Sequence, residues 1–327
     1  MLLSHHPFQR SGAWAAALLA GLPHPGLVGD DDLDRVAARI AADCERAGRL
    51  AKGASGWAWL VRLAGMYPQS PPVHPSRAKN PQPIGARVLD FLGPDPDPVH
   101  VVEQGGRVWP CWMCQVPGAS IRWGKDKLPL SDSAQHLNNS TVYGGGYPLC
   151  RSCRVAVWAL PYTTATSATG LNVTVGCWDE RTERTIATTF LAVNQQARAE
   201  GWTSWRQGPS AEDVLWQLLA DHRENRVQLD LQRWSNDNRT PRLDIRHLSP
   251  QAALRLADLH HDADPAELRR AARTTGHHPL DLALSPDLLD QALTTAPRWA
   301  AHVLTALDPD QPPTAAPTTN TIHATTR

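Results

Sequence analysis

The 327-residue chain has no net charge: 32 basic side chains balance 32 acidic ones, so no global field draws it to a polyanion or a membrane, and any such contact must be local. Long hydrophobic runs are also missing. No stretch reaches the ~20 apolar residues that a spanning helix needs, and Trp14 to Leu22 is too short and lacks a cationic leader. The expectation is a soluble, cytoplasmic protein without a membrane partner. Cysteine is sparse at six residues, which fits an intracellular thiol inventory better than a disulfide framework. Phenylalanine occurs only three times against thirteen tryptophans, an unusual aromatic choice. Lysine is rare beside arginine, which points to GC-rich codons and says nothing of function. No Gly-x-Gly-x-x-Gly, Walker loop, Gly-x-Ser-x-Gly or His-Glu-x-x-His occurs, so these standard catalytic signatures give no starting point.

What the chain does hold is a pair of knuckles. Cys111-Trp-Met-Cys114 is followed, after thirty-five residues, by Cys150-Arg-Ser-Cys153. Four thiolates at this spacing suit one tetrahedral zinc ion, and a closed four-sulfur shell leaves no position for a substrate, so the metal is expected to be structural. The residues between the knuckles include Gly118, Gly124, Pro129 and Gly144 to Gly146, and bury little by themselves; a metal clip would fix them where packing does not. A redox dithiol and a pair of disulfides are the competing readings.

The rest reads as α+β: a mixed antiparallel-sheet and helix domain with an inserted four-cysteine zinc knuckle, followed by a small helical C-terminal region. The segments are 1–108, helices and loops; 109–161, the knuckle; 162–249, an α/β core; 250–307, helical; and 308–327, a Pro/Thr/Ala-rich tail expected to be disordered. Pro7 and Gly21 bound an Ala/Leu-rich helix, and Asp30 to Asp32 start a second, with Leu33, Val36, Ile40 and Cys44 on one face. Eight prolines between Pro71 and Pro98 exclude a long helix. His100 to Glu103 and Arg107 to Trp109 suggest a hairpin feeding the first knuckle. Val155 to Leu160 reads as a short helix or buried strand packed on the knuckle, Leu171 to Cys177 as a strand, and Thr182 to Gly201 and Ala211 to Asp221 as helices. Arg226 to Trp234, with Val227, Leu229 and Leu231 inward, pairs through a polar turn with Arg242 to Leu248, where Leu243 and Ile245 alternate inward in turn.

Several side chains suit nucleic acid. Arg122, Lys125 and Lys127 cluster around Trp123, and a ring beside cations is how single strands are held; Trp123 equally suits packing beneath the loop. Asn138 and Asn139 are turn residues that also read base edges when they face a groove, and Asn236, Asn238 and Arg239 stand at the tip of the polar turn. Arg77, Lys79 and Arg87 in the proline-rich connector are solvated charges or backbone contacts. His5 and His6 are more simply exposed residues than metal ligands. For catalysis the best candidate is His260-His261-Asp262 with Asp264, a pattern similar to metal-dependent phosphohydrolases; a helix terminus that favours histidine explains it as well.

Three stretches together resemble a known family. They are His6-Pro7-Phe8 before a small-residue helix; the Cys-x-x-Cys pair with Leu137-Asn138-Asn139 between and Leu160-Pro161 after; and Trp234-Ser235-Asn236 leading to Leu243-Asp244-Ile245-Arg246-His247-Leu248. In this order, over residues 4 to 250, they resemble the CRISPR-associated large subunit of the Cst type, part of the type I interference complex Cascade. The resemblance implies a non-catalytic chain whose partners are the other Cascade subunits, a guide RNA, target DNA and a helicase-nuclease. It further implies recognition of the motif flanking the target, with sequence read mainly by guide pairing, and zinc ligands at Cys111, Cys114, Cys150 and Cys153. A stand-alone zinc-knuckle DNA-binding regulator is the alternative.

Overall fold

Two helices open the chain, and their ends explain them. Helix α1 (Pro7–Leu19) begins with proline at its first position, where a missing N–H costs nothing. It ends in a left-handed turn at Gly21 (φ +75°), with Leu22 N–H on the Ala17 carbonyl at 2.9 Å and Gly21 N–H on Leu18 at 3.1 Å. That double closure satisfies carbonyls the last turn leaves open. Helix α2 (Asp30–Gly48) starts on three aspartates, and Asp32 accepts from Gly29 N–H at 3.0 Å. Leu33, Val36, Ile40 and Cys44 are all buried on its inner face, as the spacing predicts. The computed structural model describes residues 1–74, 79–131, 146–167, 169–221, 227–236, 241–250 and 253.

Helices α3 (Trp57–Met66), α4 (Ile84–Leu92) and α5 (Pro98–Glu103) follow. The last replaces the expected hairpin arm at His100 to Glu103: Asp97 accepts from Val99 N–H at 2.9 Å and Pro98 takes the first position, so a cap and a fixed φ start a helix despite the valines. Then come strands β1 (Arg122–Trp123) and β2 (Tyr147–Pro148), helix α6 (Arg151–Ala159), β3 (Ala165–Thr166), β4 (Asn172–Gly176), α7 (Glu180–Ala199), α8 (Ala211–Asp221), β5 (Leu229–Ser235) and β6 (Arg242–Leu248). Strands β1 and β2 pair antiparallel; β3-β4-β5-β6 form an antiparallel sheet in that order, with Asn172 opposite Trp234 and Leu229 opposite Leu248. The protein is thus a mixed helix and antiparallel-sheet fold.

By contacts the chain divides into one unit of residues 1–215 and 227–249 and another of 216–226 and 250–327. The expected C-terminal helices, the tail and the His260 to Asp264 cluster lie outside the described residues, as does Arg77. Leu243 and Ile245 correct the sequence reading, being 52% and 45% exposed. Strand β6 is the last of the sheet's described order, and both side chains stand outward there, whereas Trp234 on β5 is fully buried. No helix among the described residues is long and apolar enough to cross a membrane.

Tryptophan and tyrosine fill the core of the first unit. Tyr67 stacks on Trp158 (4.6 Å, 10°) and donates to the Val157 carbonyl at 2.5 Å; Phe91 lies 4.6 Å from the same indole, whose Nε1–H reaches the Lys127 carbonyl at 3.1 Å. Buried Tyr and Trp keep a polar tip that seeks a partner, and Tyr67 and Trp158 each have one. Helix α1 packs on α6 so closely that a Cβ at Gly12 would sit 1.9 Å from the Ala156 carbonyl oxygen. Backbone stands on both sides and cannot rotate away. Gly12→Ala is therefore expected to cost about 3 kcal/mol by overpacking, read as a lower urea midpoint at unchanged slope; an unchanged midpoint would mean the helices are free to separate.

Candidate metal centre

The first knuckle is a hairpin tip. Trp109 and Ala119 exchange backbone hydrogen bonds of 2.9 Å each way, Gln115 N–H closes on the Cys111 carbonyl at 2.8 Å, and Cys111 N–H reaches Val116 at 2.7 Å. Gln115 takes a left-handed conformation (φ +64°), the cost of so tight a turn. The second knuckle is delivered by β1 and β2: Arg122 pairs with Pro148 and Trp123 with Tyr147, Leu149 N–H meets Ile121, and Trp112 N–H meets Pro148 at 2.8 Å. Cys150 then takes the position just before helix α6 and Cys153 lies in its first turn.

This places the four sulfur atoms within 4.8 Å of one another, with Cys114 and Cys150 at 3.6 Å. Four sulfurs held 2.3 Å from a tetrahedral ion stand about 3.8 Å apart, so the donor set fits one such ion. All six cysteines are free thiols. Cys111 and Cys153 are buried while Cys114 and Cys150 are half-buried. Their shared hydrogen bonds hold Cys111 below the ordinary thiol range, Cys114 being the largest influence, and hold Cys150 and Cys153 above it, Cys111 being the largest influence. Two thiolates ~4 Å apart repel by roughly 4 kcal/mol at an effective dielectric of 20, so four ionise together only around a cation. The N-terminus of α6 adds a favourable field for anionic sulfur.

Since Cys150 turns its sulfur to the cluster, its side chain does not cap α6. Asp95 does so instead. It accepts from Arg151 N–H at 2.7 Å and from the fully buried Arg154 guanidinium at 2.6 Å, while Arg154 also reaches the Gly93 carbonyl at 2.9 Å. The proline-rich connector thus presents a carboxylate to the cysteine-bearing helix. On the other side, Trp112 stands between Tyr147 (4.4 Å) and His6 (5.1 Å). Burial pushes His6 down to about 4, so it is neutral there, and it lies outside the sulfur cluster.

The expected nucleic-acid residues separate. Arg122 is exposed, its guanidinium 4.8 Å from the Trp109 ring centre, and Lys125 is half-buried. Lys127 pairs with Asp126 at 2.5 Å and lies 5.7 Å over Phe91. Trp123 corrects the stacking reading: at 1% exposure it packs beneath the loop, edge-on to Phe91, because β1 turns that residue toward the core. Asn236 is corrected likewise. It is fully buried, with its backbone N–H on Gly65 (2.9 Å) and its side-chain amide on Met66 (2.8 Å), a strand-end anchor. Asn138, Asn139, Asn238 and Arg239 lie outside the described residues. Compared with family models, curated proteins and solved structures, the chain matches none at a significant level.

Proposed function

We propose that this chain is the non-catalytic large subunit of a type I CRISPR RNA-guided surveillance complex, and that its four-cysteine cluster holds structural zinc. The observation that carries the reading is a convergence. Parts of the three sequence stretches behind the resemblance lie far apart in the chain, yet come together at the start of α1. The Phe8 ring is 4.6 Å from Trp234, His6 lies edge-on to Trp112 inside the first knuckle, and the Ser11 hydroxyl is 3.1 Å from that of Thr163, two residues beyond Pro161. A set of motifs packed as one unit is what a shared fold, rather than chance spacing, would require.

In this role guide pairing reads sequence, while the subunit steadies duplex at the flanking motif and receives the helicase-nuclease that cuts. Zinc suits the site because thiolate ligands and tetrahedral geometry select it over harder cations. Arg122 on Trp109, beside the clasp, is the described cation best placed to meet a phosphate. Co-expressed with backbone subunits and a guide, the tagged chain should elute in one particle with them. Repeated elution alone, joined to tight sequence-specific duplex binding by the isolated chain, would overturn this in favour of a stand-alone regulator.

A further inference from the structure

Among the described tryptophans, all are buried or half-buried except Trp178, which is 64% exposed. Its backbone is nonetheless fixed on both sides. Cys177 before it is buried in the core and its thiol donates to the Asp179 carbonyl at 3.4 Å. Asp179 after it caps α7, accepting from Thr182 N–H at 2.8 Å and from its hydroxyl at 2.6 Å. A large ring held in water on a rigid support loses little entropy when a ligand covers it, which is how aromatic anchors work at binding surfaces.

Cations stand around this ring. The Arg10 guanidinium lies 5.2 Å from its centre and the His5 ring 5.3 Å away, inclined by 47°. Arg181 and Arg184 stand three and six residues further on, exposed in the first turns of α7. The carboxylates nearby are engaged elsewhere: Asp179 in the cap, Glu180 with His24 at 3.1 Å, and Glu183 buried with Arg10 (2.5 Å) and the Trp14 indole (3.0 Å). Of these only Glu183 is turned inward; Asp179 and Glu180 stay at the surface, and Arg181 and Arg184 point outward beside the indole.

From this we infer that Trp178, with His5, Arg10, Arg181 and Arg184, forms a stacking site for single-stranded nucleic acid. A base covers the open part of the indole, and the arginines of α7 meet the phosphates on either side. Every base has a π-face, so the site tolerates sequence, and stacking on one aromatic is worth about 1–3 kcal/mol. An apolar protein segment would find cations where it needs hydrophobic neighbours. The inference goes beyond the subunit role and stands without it, because this chain supplies every group used.

The test measures fluorescence anisotropy of labelled fifteen-nucleotide oligo-dT and oligo-U with the full chain at low salt. Trp178→Ala should weaken binding about tenfold, within the roughly 5–150-fold range that stacking energy allows, and Trp178→Phe should restore most of it. Replacing Arg181 and Arg184 by glutamine should flatten the salt dependence by about 1.4 in log-log slope. The two oligomers report whether DNA or RNA is preferred. Wild-type protein that binds neither, or Trp178→Ala protein that melts and binds like wild type, overturns the inference. So does a variant that keeps oligonucleotide binding and loses only a co-purifying subunit, since the site would then be a protein contact. Trp178-dependent binding by a chain that never joins a complex would sink the subunit role and leave this site in place.

Discussion

Cys153→Ser is expected to remove the metal and most of the fold's thermal resistance together. Serine is close in size, but its hydroxyl does not ionise near neutral pH and is too hard a donor to replace thiolate. Cys153 is fully buried in the first turn of α6, within 4.8 Å of three other sulfurs, so the loss falls on the closed side of the cluster. Structural zinc binds zinc-finger peptides with about 10–16 kcal/mol, comparable to the whole 5–15 kcal/mol stability of a domain. Metal content by plasma mass spectrometry should fall from about one ion per chain to nearly none. The melting temperature should drop by at least about 10 °C, or the chain should become insoluble, because a loss of 5 kcal/mol at 2–4 °C per kcal/mol already gives that shift. Cys44→Ser and Cys177→Ser are the controls. Burial pushes the Cys44 thiol up and the Cys177 thiol up to about 12, and neither lies in the cluster, so both variants should keep a full metal complement. Wild-type protein purified without metal, with four reactive thiols and an unchanged melt, would remove zinc from the account.

The parts of this architecture that the sequence discloses are those set by local spacing. Two Cys-x-x-Cys pairs, the Pro7 and Gly21 punctuation of α1 and the 3.6-residue period of α2 each contain their own geometry, and the structure agrees with all of them. What stays hidden depends on distant partners. Helix α3 has no amphipathic signal because it is covered almost all round, with Ala58, Trp59, Leu60, Leu63 and Met66 buried. Trp123 stands among cations in sequence, yet strand pairing with Tyr147 decides which way it faces. Asp95 is one acid in a run of prolines; only the fold reveals that it meets Arg151 and Arg154 some sixty residues on. Leu243 and Ile245 alternate as an inward face would, but nothing in a strand's own period says whether it ends the sheet.

Arg62→Ala should be the most damaging change away from the cysteine cluster, for a reason no sequence pattern exposes. Arg62 sits on α3 among apolar residues and is 2% exposed. Burial alone pushes its pKa well down, yet guanidinium stays charged at any ordinary pH, so the fold must solvate it. It does so with neutral groups. The guanidinium donates to the carbonyls of Pro161 (3.2 Å) and Thr164, to the Asn194 amide oxygen and to the Thr166 hydroxyl (2.7 Å), and stacks 3.5 Å from the Trp205 ring centre. One side chain thereby joins α3, the turn after α6, β3 and α7. Truncation leaves acceptors without donors and a cavity under Trp205, and each contribution has a known scale: about 1–3 kcal/mol per stranded polar group and about 3–5 for breaking a buried charged network. Asn194 also donates to the Tyr162 and Thr164 carbonyls, at 2.8 and 3.0 Å, which limits the stranding. A loss of about 3–5 kcal/mol is therefore expected, a fall of roughly 6–20 °C in melting temperature with metal content unchanged. Arg62→Lys should recover only part, since one ammonium cannot span acceptors set for a planar fork. If Arg62→Ala melts within 2 °C of wild type, by the same scale of about 2–4 °C per kcal/mol, the four elements are held by apolar packing and the buried cation is incidental.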